Sequence, residues 1–221
     1  MATGPGQVPG PPPVLLTEAD VIAALTPALR GRPDVRLGIG DDGAVLRPSP
    51  GAELVVVTDA LVEGTHFPPA MPARSIGHRA LAVNLSDLAA MGATPRWATL
   101  ALSLPALQSA WLGEFAAGLL ELAVATGTAL VGGDTVAGPL FTTVTAMGEV
   151  PAGQPAGRRG ARPGDAVFVT RTPGDAVQGR LLLGSGRDDA HADYLRSRFL
   201  YPEARLAPGR ALRPLASAML D

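Results

Sequence analysis

The chain has 221 residues, a formal net charge of -2 and 47% hydrophobic residues, with 18 Arg but no Lys and no Cys. The missing thiols exclude a disulfide framework, thiolate metal centres and a cysteine nucleophile; the missing amines exclude a Walker-type loop, a protein-kinase lysine and Schiff-base chemistry. The near balance of charge gives no electrostatic footprint for nucleic acid, and with aromatics at 4% the core must be built from Ala, Val and Leu. An Arg-only basic set beside abundant Ala, Gly and Pro is also what a GC-rich genome produces.

Residues 1–14 hold five Pro and three Gly and lack the basic and apolar stretches of a signal peptide, so they read as a disordered tail. No apolar run approaches the ~18 residues of a membrane span, so the expectation is a soluble, cytoplasmic protein. Thr17-Glu18-Ala19-Asp20 starts a helix, a hydroxyl cap followed by acids, with Val21, Ile22, Leu25 and Leu29 at helical spacing and Gly31 and Pro33 as its stop. Gly38 to Leu46 is a glycine-punctuated acidic turn entering a short strand, and Leu54 to Thr58 is a buried strand ending at Asp59. Ser75 caps a predicted helix that runs to Met91 and stops at Gly92.

Trp97 to Leu104 alternates as a strand, and Ser109 to Thr126 is a helix with Trp111, Phe115, Leu119 and Leu122 on one face and Gly127 at its end. Ala129-Leu130-Val131 enters the turn Gly132-Gly133-Asp134-Thr135, and Leu140 to Gly148 reads as a further strand. Irregular alternation of strands and helices points to an α+β fold, a mixed sheet-and-helix N-terminal domain over residues 15–150. The loop-rich stretch Pro151 to Gly157 marks a boundary, after which a strand Ala166 to Thr170 opens a second, α/β domain over 151–221. An apolar helical run from Leu212 to Leu220 stands just before Asp221, so this second domain is expected to be incomplete.

The chain has 13 Asp against 7 Glu, and their placement carries the chemistry. Asp41 and Asp42 lie in a glycine turn, Asp59 at a Val-rich strand, Asp87 in an apolar helix and Asp134 after Gly-Gly. Carboxylates beside apolar elements are costly unless paired or bound to a cation, and several meeting at one place repel strongly. With no Lys available, the expected counter-charge is a divalent metal, and short hard carboxylates with glycine space beside them suit Mg²⁺. Each feature alone also has a plainer reading: a GDD turn is most often only a turn, a strand-end Asp is often a cap, and Asp87 on its own could face solvent. Asn84 and Asp87 share a helix face at i, i+3 spacing, as a polar notch would. Gly132-Gly133 after a strand lets backbone N–H groups approach a phosphate. His66 lies in a loop just beyond Asp59, while His78 on a helix and His191 in a charged loop read as ordinary surface groups. Arg158 and Arg159 follow the linker, and arginine suits bidentate phosphate contacts.

Four strings occur in order: Gly38-Ile39-Gly40-Asp41-Asp42, Thr58 to Phe67, Leu81 to Ala93 and Gly132-Gly133-Asp134-Thr135. Together they resemble the thiamine-monophosphate kinases of the aminoimidazole-ribonucleotide-synthase-like superfamily, from about residue 16 to Asp221. The helix motif and the Val62 to Phe67 segment are its specific parts. The resemblance implies ATP-dependent phosphorylation of thiamine monophosphate to thiamine diphosphate with several Mg²⁺ ions, by direct in-line transfer that needs no catalytic side chain. It implies metal binding by Asp42, Thr58, Asp59, Asp87, Asp134 and Asp221, nucleotide contacts from Asp42, Gly133, Asp134 and Arg158, and a substrate contact from His66. It also implies that the first domain carries the metal and ATP sites and a homodimer interface, with no nucleic-acid or membrane partner. Asp221 matches the first Asp of an Asp-x-Ser-Asp-Gly motif whose remainder is absent. Gly43 stands where the family often has Cys, Val57 where Ser is frequent, and Val136-Ala137 replaces a typical Thr-Arg. The alternatives are another ATP-using enzyme of the superfamily and a non-catalytic dimerisation or metal-binding module.

Overall fold

Four strands build the central sheet: β3 (Ala52–Val62), β4 (Thr94–Leu104), β5 (Ala129–Ala137) and β6 (Phe141–Pro151). The computed structural model describes residues 17–26, 31–106 and 108–221. The strand order is β3-β6-β4-β5, with β6 antiparallel to both neighbours and β5 parallel to β4. A parallel pair needs a crossover connection, and helix α3 (Ser109–Thr126) supplies it. Helix α2 (Ala73–Ala90) packs beside α3 on the same face. The two axes approach closely because Gly77 and Gly118 lie at the crossing. A Cβ on Gly118 would sit 1.9 Å from the Arg74 carbonyl oxygen, and one on Gly77 2.0 Å from that of Phe115.

The main core fills the space between these helices and one face of the sheet, with Leu81, Leu85 and Leu88 meeting Leu100, Leu102 and Val144. It is aliphatic, as the composition requires. Trp97 belongs to a second, smaller cluster with Ala129 and Val131 on the other face. Val35 and Leu46 of the two-stranded ribbon β1 (Val35–Leu37) and β2 (Val45–Leu46) pack against it. Helix α1 (Glu18–Leu25) begins in a capping box between Thr17 and Asp20 and buries Val21 and Leu25 in the main core. After the sheet come α4 (Asp175–Leu182), α5 (Ala190–Leu200) and α6 (Leu206–Leu212). The end of α5 docks on α2: Arg79 donates to the Phe199 carbonyl at 2.7 Å, and His78 Nε2 lies 2.9 Å from the Pro202 carbonyl oxygen.

The α+β expectation holds among the described residues, and α3 has the predicted bounds, closed by Gly127 in the left-handed conformation. Several boundaries differ. Asp59 does not end its strand: β3 continues to Val62 because β6 supplies partners from Pro151 to Phe141. Gly132 to Thr135 is not a turn but part of β5, paired to β4. Ser75 does not cap α2; Pro72 does, without a side-chain bond, and the Ser75 hydroxyl donates to the Pro72 carbonyl inside the first turn. His191 lies in the first turn of α5, not in a loop. The tail over 1–14 and Leu29 lie outside the described residues.

Residues 166–170 form no strand. Val167 and Phe168 are 91% and 87% exposed, and an extended segment without a neighbour has nothing to satisfy its backbone or cover its side chains. The apolar run 212–220 is not a helix beyond α6. Pro214 carries no N–H for a helical bond, and the segment's partners are elsewhere: Met219 N–H donates to Gly157 O at 2.9 Å, and Ser217 Oγ to Asp165 at 2.6 Å. No helix among the described residues is long and apolar enough to cross a membrane.

Candidate active site

Strand alternation sets Asp59 and Thr58 on opposite faces of the sheet. Asp59 pairs with Val144, a core residue, so its carboxyl lies on the helix-covered face. Thr58 pairs with Thr145, and their hydroxyls meet at 2.9 Å on the other face. The Thr58 side chain is therefore separated from Asp59, and Thr58 has only backbone atoms to share with it.

Helix α2 runs over β3 and brings Ser86 and Asp87 to the same region. The Ser86 hydroxyl donates to a carboxylate oxygen of Asp221, which draws the 214–221 segment to this face. Burial pushes the Asp59 carboxyl above its ordinary range, the charge of Asp221 adds to the rise, and His66 opposes it. Asp87 is also raised, first by burial and then by Asp59 and Asp221, with Arg158 opposing. Two carboxyls raised by burial and by neighbouring carboxylate charge, with Asp221 beside them and Arg158 opposing at Asp87, form an under-neutralised site.

His66 sits in the loop after β3. The Val62 N–H donates to its Nδ1 at 3.0 Å, and its own N–H donates to the Val62 carbonyl at 2.9 Å. Gly64 N–H donates to the Phe67 carbonyl at 2.8 Å, and Phe67, 1% exposed, anchors the loop in the core.

A second group lines a separate cleft of about 610 Å³, walled by Ile22 of α1, Gly40 to Gly43, and Gly132 to Thr135. Asp41, Asp42 and Asp134 are its carboxylates. Gly133 has φ +155, and a Cβ there would meet the Leu100 carbonyl oxygen at 1.9 Å. The strand can run so close only without a side chain. Thr135 N–H donates to Asp134 Oδ1 at 2.8 Å, fixing that carboxylate against its own backbone.

The aspartates therefore do not converge on one point. Asp59, Val144, Leu100 and Gly133 lie in one row across the sheet, so the two groups are three strand spacings apart, roughly 14 Å. Among the described residues no three His, Cys, Asp or Glu side chains come together closely enough to hold a metal ion by themselves. Sequence spacing gives no access to that separation, because it follows from strand order. Ser86 was equally invisible, since a hydroxyl on a helix carries no signal until its partner 135 positions away is located.

The donor chemistry fits Mg²⁺. All the carboxylates offer hard oxygen, and Mg²⁺ is ordinarily held by one or two carboxylates plus waters and substrate phosphates rather than by a closed protein cage.

The domain is a four-stranded mixed sheet backed by two helices, with Asp59 at one end of a row across the sheet and a glycine-lined acidic cleft at the other. Residues 40–150 match the family described as AIR synthase related protein, N-terminal domain, and the chain belongs to that family. It is similar to thiamine-monophosphate kinases: it is 47% identical over 193 residues to the one from Escherichia coli K12, covering 86% of this chain and 59% of that protein. The crystal structure of thiamine-monophosphate kinase from Stenotrophomonas maltophilia K279a matches with a TM-score of 0.79 at 45% identity, over 90% of this chain and 64% of that one. The structure of AaThiL complexed with AMPPCP and TMP matches with a TM-score of 0.72 at 32% identity, over 78% and 56% of the two chains. This chain spans about 59% of the length of the Escherichia coli relative.

Proposed function

We propose that the protein transfers the γ-phosphoryl group of ATP to thiamine monophosphate, giving ADP and thiamine diphosphate. The observation that carries this reading is the 47% identity to a thiamine-monophosphate kinase over most of this chain. The solved relative with AMPPCP and TMP bound supports the same pair of substrates.

In this reading Asp42, Gly133 and Asp134 meet the nucleotide phosphates in the glycine-lined cleft, where backbone approaches without a Cβ in the way. Asp59, Asp87 and Asp221 form the opposite pole with Arg158, and His66 stands beside it to contact the acceptor. Asp42, Asp59, Asp87, Asp134 and Asp221 would hold Mg²⁺, with Thr58 limited to its backbone carbonyl. Mg²⁺ supplies neutralisation of the charge shared by two polyanionic reactants. The acceptor oxygen is already an anion, so the chain need supply no general base; its work is to position and neutralise. Transfer is direct and in line, with the bond from the γ-phosphorus to the bridging oxygen of ADP breaking as the bond to the acceptor oxygen forms. No phosphorylated protein intermediate is expected. A cytosolic setting, where ATP is available, suits this chemistry.

A homodimer is part of the proposal. Leu54, Val56 and Val62 of β3 leave apolar side chains exposed along one strand, on the sheet face away from α2 and α3, and exposed apolar surface of this kind marks an association surface.

A binding module without turnover is the second reading, favoured by the separation of the two acidic groups. Coupled measurement of ADP release with thiamine monophosphate and Mg²⁺ decides between them, run on the 221-residue chain and on the whole encoded protein. ADP release that depends on thiamine monophosphate and is lost in Asp87→Asn with the fold retained supports the kinase. Turnover of a different phosphate acceptor, with none of thiamine monophosphate, overturns it.

A further inference from the structure

The loop after β3 determines more about His66 than its proximity to Asp59. A backbone N–H can only donate, so the Nδ1 atom that meets Val62 N–H at 3.0 Å must present a lone pair. A neutral imidazole carries a single ring proton, and with Nδ1 excluded that proton is on Nε2. Nε2 finds no partner among the described residues, and the side chain is exposed beside the Asp59 pole. The backbone that carries the ring is held from two sides: the Val62 carbonyl receives the His66 backbone N–H at 2.9 Å, and Phe67 pins the next position in the core.

We propose that the Val62 backbone N–H locks His66 as its Nε2–H tautomer, and that this N–H is the donor that recognises an acceptor oxygen of the phosphomonoester substrate. The assignment rests on the proposed phosphoryl transfer and specifies what His66 does within it. Three other roles are thereby set aside. A proton-accepting role has no free lone pair to use, since Nδ1 spends its own on Val62 and Nε2 holds a proton. Metal ligation through Nε2 would require that proton to leave. A cationic ring would have to give up the Val62 bond, because a protonated Nδ1 cannot face another donor. What remains is a neutral, directional donor, which fits a reaction whose acceptor needs no deprotonation.

The test has two readouts. The first is nitrogen NMR of the chain labelled at histidine, at about pH 8 where an ordinary imidazole is neutral, with His66 assigned by its disappearance in His66→Asn. The expected spectrum shows a proton on Nε2 and a bare Nδ1; a protonated Nδ1 overturns the assignment. The second is calorimetric affinity for thiamine monophosphate in the whole encoded protein. His66→Asn keeps an oxygen able to accept the Val62 N–H but offers no donor at the outer position, so it should bind about tenfold more weakly with its loop intact. His66→Gln places an N–H further out and should bind better than His66→Asn. Affinity in His66→Asn equal to the original overturns the donor role and leaves His66 a loop-holding residue. If the unsubstituted protein binds no thiamine monophosphate while Nε2 is protonated as expected, the substrate assignment fails and the tautomer stands.

Discussion

At Asp59 and Asp87 two effects oppose each other. Both carboxyls are raised above the ordinary aspartate value of 3.8, by burial first and by neighbouring carboxylates second. The folded chain therefore holds extra protons between that value and the raised ones. The stability these groups contribute is complete below the window and falls as pH rises through it. Above that window both are ionised and repel, and a bound cation removes the repulsion. In EDTA near neutrality, Asp87→Asn should unfold at a urea concentration equal to or above that of the original chain. Mg²⁺ should raise the midpoint of the original chain by more than that of the variant, which keeps the carboxylates of the separate Asp42–Asp134 cleft. Equal stabilisation of both by Mg²⁺ would remove Asp87 from the cation site. The pairing of Asp59 with Asp87 was half legible in the sequence, since both residues stood out against apolar neighbours. Which other carboxylate joined them was not, because Asp221 arrives through a hydrogen bond from Ser86 rather than through any motif.

Elements were legible where the signal is local and hidden where it is not. Helix α3 shows apolar spacing and a terminal glycine, both properties of its own residues, and its bounds agree with expectation. Strand β3 runs past its expected end because an aspartate in a strand resembles an ending in the sequence, and only pairing with β6 carries it on to Val62. The α2–α3 crossing is another non-local feature. Gly118 weakens a helix by its intrinsic propensity, by about 1 kcal/mol relative to alanine, yet its Cβ would lie 1.9 Å from a backbone oxygen of the neighbouring helix. Backbone cannot move aside as a flexible side chain can. Gly118→Ala should therefore destabilise the chain despite the better propensity, by roughly 1–3 kcal/mol, read from the urea midpoint. A neutral or stabilising result would mean the helices separate at low cost.

For the whole molecule, the sheet has one face covered by α2 and α3 and another covered only in part by the β1–β2 ribbon. Val56 is 59% exposed on that second face. If this face associates with a second copy, Val56→Glu should shift sedimentation from dimer to monomer while the circular dichroism spectrum stays the same, since Val56 is not part of the core. A chain that is monomeric before substitution would refute the dimer. Exposure of Val167 and Phe168 is a feature of the same scale: the residues have strand character, but that character is expressed only where another strand lies beside them.

The sequence by itself determined the kinds of element, the aliphatic core, and the aspartate and glycine strings that resemble one kinase family, because composition, periodicity and motif order are properties of neighbouring residues. Strand order, which divides the aspartates into two groups, was decided by the tertiary structure. So were the side of the sheet on which Thr58 and Asp59 stand and the nitrogen of His66 that is left to donate. Each of these depends on register or on a hydrogen bond whose partner is chosen by the folded backbone, and no spacing along the chain encodes that choice.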